Sequence, residues 1–457
     1  MNSEGARCPR QKRFEMQLSL ENGRHSPFAG DLNPASAALS ELNLEIRSAD
    51  GENVDCICHL LVESADAPDH KRTVRTDGFG KAIFEISPGE EQILWLVTRP
   101  IEAGFWCGWV DGDAIDPSEP NSMRIVCDRL SGIPAFPWWL EILNVDPSHN
   151  NRGKGVQIGV VDTALKDIGG LEHVQSLAQA HQQEVSSDPI EAGPSHGEMV
   201  CRVLADRSAC PECEPIVPSA SVVLALSGYS PRTWSFSELG SEYPPGVDPV
   251  AVTNAIFDLV FKCDVDIINL SLGTHKEPDD VAQGMRIAIE AATSRGIVVV
   301  CAAGNQRLST VAFPARLDDC VAVGAFGLAD WGGEHSIVKR YSEIDRGSDE
   351  HGKFGQWSIY SWYQSAFGTG LDLVAPGVGL VISRQGVPAY DITGTSFAAP
   401  LVAGVLAINL AKQRISSGDW NLSARKVLNE MLSPASGYVH LASFNKLFQG
   451  NGILSLR

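Results

Sequence analysis

Thr393-Gly394-Thr395-Ser396-Phe397-Ala398-Ala399-Pro400-Leu401-Val402-Ala403-Gly404-Val405-Leu406-Ala407 is the stretch on which the reading of this chain turns. A serine stands between small residues at the mouth of an apolar helical run. Gly394 lets backbone approach with no Cβ in the way. A helix start leaves backbone N–H groups without intrahelical partners, at the positive end of the helix dipole. Such donors are what a developing oxyanion needs. Pro400 is expected in the first turn, where its missing N–H costs little. Ala398, Ala399, Ala403 and Gly404 suit close helix packing. The same run also reads as a buried small-residue helix with Ser396 as its N-cap, so other segments must decide.

Upstream of this run the pattern is of strands and helices in alternation. Val156-Gln157-Ile158-Gly159-Val160-Val161-Asp162 reads as a buried strand. Val250 to Phe261 has helical spacing and precedes the strand Asp266 to Ser271. Asp279 to Ser294 is helical and precedes Gly296 to Ala302. Continuous apolar strands between amphipathic helices predict an α/β fold, a parallel sheet covered on both faces. Residues 39–130 differ. Leu42 to Ile46, Val54 to Val62, Ala82 to Ile86 and Ile93 to Val97 are short apolar or alternating runs, with turns at Thr76 to Gly80 and Pro88-Gly89. They predict a small all-β, sandwich-like accessory domain. Residues 1–38 are polar and read as a flexible N-terminal arm, and 131–457 as the main domain.

At 457 residues the chain has room for two or three domains. The net charge of −20 argues against nucleic acid as a partner, which calls for a basic face. Met1 to Asn22 lacks the apolar core of a signal peptide, and no segment approaches the roughly 18 apolar residues of a membrane span. Eleven cysteines are scattered rather than spaced as a disulfide framework. A cytoplasmic, reducing setting with mostly free thiols is therefore expected, with no membrane association. Cys210-Pro211-Glu212-Cys213 is a lone CxxC: a zinc site needs two more ligands, of which Cys201 is one candidate, a redox pair is an alternative, and structural thiols are the preferred reading, so no metal and no cofactor are expected.

Reactive groups in parallel α/β sheets gather beyond the carboxyl ends of the strands. Asp162 ends the first strand, His196 opens the helical segment that follows Ser195, Asn305 follows the strand ending at Ala302, and Ser396 opens the last long helix. These segments, in this order, resemble the subtilisin-like (subtilase) serine proteases. So do Asn269-Leu270-Ser271-Leu272-Gly273, Phe313-Pro314-Ala315-Arg316, Leu371 to Gly377 and Gly450 to Leu454. The resemblance runs from about Pro134 to the end, and its longer gaps imply loop insertions. It implies a three-layer catalytic domain and a serine endopeptidase acting on polypeptides. Ser396 would be the nucleophile, His196 the base, Asp162 its orienter and Asn305 the oxyanion-hole donor. Ser271, Leu272 and Gly273, with Ala303 and Gly304, would bind substrate. Two alternatives stand beside it. One is a catalytically inactive relative that only binds. The other is an esterase of the α/β-hydrolase type, with Asp419 and His440 following Ser396 in order.

The match has departures. Ala164 stands where the family has Gly after Asp-Thr. Glu198-Met199-Val200-Cys201-Arg202 replaces the family's Thr-His-Val-Ala-Gly, so Arg202, where a small residue is expected, implies either a fault in the packing of this helix or an altered neighbour, and Glu198 stands close enough in sequence to His196 to affect its acidity. The insert Trp331 to Phe367, rich in Trp and Tyr, reads equally as a lid or as a stabilising excursion. Residues 39–130 do not look like the family's usual α+β propeptide; the module would recognise a regulatory partner, restrain the site or act as a spacer.

Overall fold

The computed structural model describes residues 40–64, 67–87, 90–116, 122–130, 132–134, 137–177, 193–227, 248–275, 279–344 and 350–457. The arm expected over 1–38 and the turn at Pro88-Gly89 lie outside the described residues.

Seven strands build the front module: β1 (Ser40–Ser48), β2 (Cys56–Ser64), β3 (Ala67–Arg75), β4 (Lys81–Ile86), β5 (Glu91–Pro100), β6 (Gly108–Asp111) and β7 (Met123–Cys127). They form a three-stranded sheet, β4-β1-β7, and a four-stranded sheet, β3-β2-β5-β6. The alternation seen in β1 and β4 buries Leu42, Leu44 and Ile46 with Ala82, Phe84 and Ile86. These meet Cys56, Cys58, Leu60 and Leu96 from the other sheet, giving the module its own core. The polar segment of β3 carries no apolar run, so its strand is not written in local pattern. It is an edge strand held by pairing with β2.

The main sheet runs β19-β20-β16-β13-β12-β11-β8-β10-β9. Its central strands are β8 (Gln157–Asp162), β10 (Ser221–Leu226), β11 (Ile267–Leu270), β12 (Val298–Ala302), β13 (Cys320–Leu328) and β16 (Leu373–Pro376), all parallel. Short strands β9 (Gln175–Leu177), β19 (Val439–His440) and β20 (Ile453–Leu454) complete its edges. The helices are α1 (Trp138–Ile142), α2 (His196–Ala205), α3 (Pro249–Lys262), α4 (Asp279–Thr293), α5 (Ile337–Ile344), α6 (Thr395–Ser417) and α7 (Ala424–Leu432). α2 and α6 pack on each other and on the sheet, and α3 and α4 pair on β8, β10 and β12. This is the three-layer α/β architecture expected from the alternation.

α6 corrects one expectation and removes one alternative. Pro400, expected in the first turn, lies inside the helix beyond it, and the N-cap is Gly394, so the alternative reading of Ser396 as N-cap does not hold. By length and composition α6 could also cross a membrane, although no such segment was expected. However, 89% of its most apolar window is buried in the protein, and a helix apolar all round is what a core position demands.

The insert 331–367 is part of the core. Strands β14 (His351–Phe354) and β15 (Trp357–Ser361) form a hairpin added to β13, and Tyr341, Tyr360 and Trp362 are buried. Its first half receives the front module. Trp106 meets Trp331 edge to face at 5.8 Å, Ile337 N donates to Cys107 O at 2.8 Å, and Arg340 pairs with Asp111 at 2.9 Å. The module also reaches the hairpin β17 (Leu380–Arg384)–β18 (Val387–Ile392), which leads into α6. There Gly104 N donates to Ala389 O and Cys107 N to Asp391 Oδ1, each at 2.9 Å. Val97, Trp106 and Leu130 of the module belong to the main core, so the two bodies share packing.

Candidate active site

The carboxyl ends of β8, β11 and β12 lie along one edge of the sheet, and the N-termini of α2 and α6 close on it. Asp162 is the last residue of β8 and is buried. Both of its carboxylate oxygens lie 2.9 Å from His196 Nδ1. Thr163 N donates to Asp162 Oδ1 at 2.7 Å, which fixes the carboxylate. His196 is the first residue of α2. Ser195 caps that helix by accepting from Glu198 N. Gly197 N donates to Thr163 Oγ1 at 2.8 Å, and a Cβ at Gly197 would stand 2.1 Å from Thr163 O. Only glycine lets the strand end and the helix start approach this closely.

Ser396, the second residue of α6, is buried, and its neighbour Phe397 faces the His196 ring with centroids 5.6 Å apart. Ser396 Oγ donates to Ser271 O at 3.1 Å, and Ser271 Oγ donates back to Ser396 O at 2.6 Å. Asn305 follows β12. Its Oδ1 accepts from Thr395 N at 3.1 Å and from Thr395 Oγ1 at 2.7 Å. Those two bonds assign the amide: Oδ1 is occupied, and Nδ2 is turned to the Gly394 side. Gly304 N donates to Thr395 Oγ1 at 3.2 Å. Thr395 therefore ties the Asn305 loop to the start of α6, a role sequence reading missed. The signal available was a hydroxyl residue immediately before the serine.

Among the residues expected to bind substrate, Leu272 and Gly273 are half-buried beyond β11. Ala303 is buried, its N–H bonded to Val323 O and its carbonyl to Ala312 N. Gly304 O accepts from Ala366 N, and Arg307 N donates to Gln364 O, so the end of the insert braces the loop carrying Asn305. Arg307 also pairs with the buried Glu350 of the insert.

The departures after His196 form a cluster. Arg202 is 1% exposed. Its Nε lies 3.0 Å from Glu198 Oε1, and its two terminal nitrogens lie 2.9 Å from Asp206 Oδ2 and 3.6 Å from Asp167 Oδ2. It also donates to Gly169 O at 3.0 Å. Glu198 Oε2 accepts from Asp167 N. Burial opposes the charge on Arg202, but Asp206 and Glu198 outweigh it and hold the guanidinium above its ordinary value. The altered neighbours that Arg202 required are thus Glu198 and Asp206, one turn away on either side. The spacing Glu198-Arg202-Asp206 was visible in the sequence as i, i+4 pairs.

Asp419 does not join this site. It follows the C-cap of α6, whose last residue, Ser417, lies about 32 Å along the helix from Ser396 at 1.5 Å per residue. His440 is exposed and packs against Phe354. Cys210 and Cys213 are buried and unpaired. Among the described residues, no group of three or more His, Cys, Asp and Glu side chains is arranged to hold a metal.

Residues 153–441 match the family model described as Subtilase family. M-protease of Shouchella clausii (strain KSM-K16) is 27% identical over 305 residues, which is 66% of this chain and 65% of that protein. Subtilisin BL of Lederbergia lenta is 27% identical over 282 residues, 61% of this chain and 85% of that protein. Among solved structures, the prenylagaramide maturation protease PagA matches with a TM-score of 0.48 at 18% identity, over 68% of this chain and 94% of that one. The matched region spans well over half of the sequence and contains Asp162, His196, Asn305 and Ser396, and the chain belongs to the subtilase family of subtilisin-like serine proteases.

Proposed function

We propose that this protein is a serine endopeptidase that hydrolyses polypeptides through Ser396, His196, Asp162 and Asn305. The observation that carries the reading is the bonding of His196 Nδ1 to both oxygens of a buried Asp162, on the same sheet edge as a serine at a helix start. That bond fixes the imidazole tautomer and leaves Nε2 to act as base. In the reaction the Ser396 hydroxyl leaves the Ser271 carbonyl, gives its proton to His196 Nε2 and attacks the scissile carbonyl. Asp162 stabilises the resulting imidazolium. The tetrahedral oxyanion takes hydrogen bonds from Asn305 Nδ2 and from the Ser396 N–H, a first-turn donor with no intrahelical partner. His196 then protonates the leaving amine, and water hydrolyses the acyl-enzyme by the same steps.

The front module is read as a permanent part of the active enzyme. Its shared core with the main domain and its bonds to the β17–β18 hairpin support this. Its remaining surface is offered to a regulatory protein partner. The ten described cysteines are unpaired, which supports work in a reducing compartment such as the cytoplasm.

The test is labelling of the purified full chain with a fluorophosphonate, alongside cleavage of a diverse peptide library. Wild type should be labelled and should cleave, and Ser396→Ala and His196→Ala should do neither. A folded wild type with no more label than Ser396→Ala would refute the reading. Labelling undiminished in His196→Ala would favour an esterase with a different base.

A further inference from the structure

Pro400 stands four residues after Ser396, inside α6. In an α-helix the N–H of residue 400 would bond the carbonyl of residue 396. Proline has no N–H, so the Ser396 carbonyl loses its helical donor in a buried position, where an unmet acceptor is costly. The structure supplies a substitute. Ser271 Oγ lies 2.6 Å from Ser396 O and donates to it. Ser271 Oγ in turn accepts from Asn269 Nδ2 at 2.8 Å. That bond leaves the single hydroxyl proton of Ser271 for the Ser396 carbonyl. Asn269 and Ser271 are both buried, one on β11 and the other just beyond it. The chain of donors therefore starts on a rigid central strand.

We propose that Ser271 is a positioning residue for the nucleophile: its hydroxyl replaces the hydrogen bond that Pro400 removes from α6 and so pins the Ser396 backbone to β11. This rests on Ser396 being the attacking residue. The pin matters because it acts on the residue that carries both the attacking Oγ and an oxyanion N–H. A second contact between the same two residues, Ser396 Oγ to Ser271 O at 3.1 Å, holds the resting hydroxyl. The pairing is thus reciprocal, with side chain to backbone in both directions. Asn269 acts one step further out, by orienting the Ser271 hydroxyl.

A double-mutant cycle on the full chain tests this, using Ser271→Ala, Pro400→Ala and the pair. The readouts are kcat, KM, the rate of fluorophosphonate labelling and the melting temperature. Ser271→Ala should lower kcat and the labelling rate together by roughly ten- to a hundredfold, the scale set by a misplaced reacting atom. KM should change little, and the melting temperature should fall by a few degrees, because the Ser396 carbonyl is left without a donor in a buried position. In the double variant, residue 400 regains its N–H, the helix satisfies the Ser396 carbonyl itself, and most of the lost rate should return. Asn269→Ala should give a smaller loss that does not add to that of Ser271→Ala. Equal losses from Ser271→Ala in the wild-type and Pro400→Ala backgrounds would overturn the proposal. So would an effect confined to KM, which would make Ser271 a substrate contact. A wild type that takes label while Ser271→Ala reacts at the same rate sinks this proposal alone, whereas a wild type that takes no label sinks the peptidase reading with it.

Discussion

Arg202→Ala exposes the logic of the cluster behind His196. The wild-type guanidinium is 1% exposed, and the Glu198 and Asp206 side chains that face it are each 3% exposed. Removing the arginine strands two buried carboxylates, leaves Gly169 O without its donor, and opens a cavity where the side chain was. Breaking a buried ion pair by deleting one partner costs about 3–5 kcal/mol, and this case stays within that range because Asp206 keeps its bonds from Ser208 and Ser383 and Glu198 its bond from Asp167 N. Typical domains are stable by about 5–15 kcal/mol, so the variant loses a large share of its margin. At roughly 1.5 °C per kcal/mol for a domain of about 300 residues, the melting temperature should fall by about 4–8 °C. Chemical and thermal melts should be run on the Ser396→Ala background, so that self-digestion does not distort the baselines. The double variant Glu198→Gln/Arg202→Met supplies the control. Its glutamine keeps an acceptor for Asp167 N and carries no charge, so about half of the loss should be regained. A melt of Arg202→Ala within about 1 kcal/mol of wild type would refute the reasoning, because that change lies within the range of ordinary single substitutions. It would mean that water, not Arg202, carries the two carboxylates.

Two further substitutions probe the joints that hold the site. Asp391 accepts from Cys107 N where the front module meets β18, and burial raises its carboxyl above the ordinary value while the Cys107 hydrogen bonds oppose the rise. The folded state then holds the proton more tightly than the unfolded chain, so stability falls as pH rises from the ordinary carboxylate range through the folded value. Asp391→Asn keeps the acceptor and removes that penalty; it should match or exceed wild type in denaturant melts at neutral pH and lose the advantage in acid, and a less stable Asn variant at neutral pH would contradict this. Gly404 marks the contact of α6 with the segment after α2, because a Cβ there would stand 2.4 Å from Ile216 Cγ2. Gly404→Ala should cost about 1–3 kcal/mol by overpacking, with part of the loss recovered by Ile216→Ala, which removes the clashing γ carbons, and an additive cycle in thermal melts would show that the two side chains do not meet.

The sequence marked those parts of the site that are fixed by backbone geometry at strand ends and helix starts. Asp162, His196, Asn305 and Ser396 were legible because each follows an apolar strand or opens a helix, and that position is written in local pattern. Their partners were harder to see, since a hydrogen bond between β11 and α6 joins residues 125 apart in the chain. Nothing in local periodicity distinguishes Ser271 from any other serine after a strand. Thr395 and Asn269 escaped for the same reason. Pro400 shows the limit most clearly. Read locally, a proline near a helix start suggests the first turn, where no bond is lost. The helix in fact begins at Thr395, so residue 400 lies past the first four N–H groups, and the donor that proline lacks is the one that would have bonded the Ser396 carbonyl. Arg202 teaches the converse. Its departure from the family pattern looked like a packing fault when taken by itself, yet its compensation was local, at Glu198 and Asp206 on the same helix. A buried charge in a helix should therefore be read with its i±4 neighbours before it is judged out of place, and a proline there with the carbonyl four residues before it.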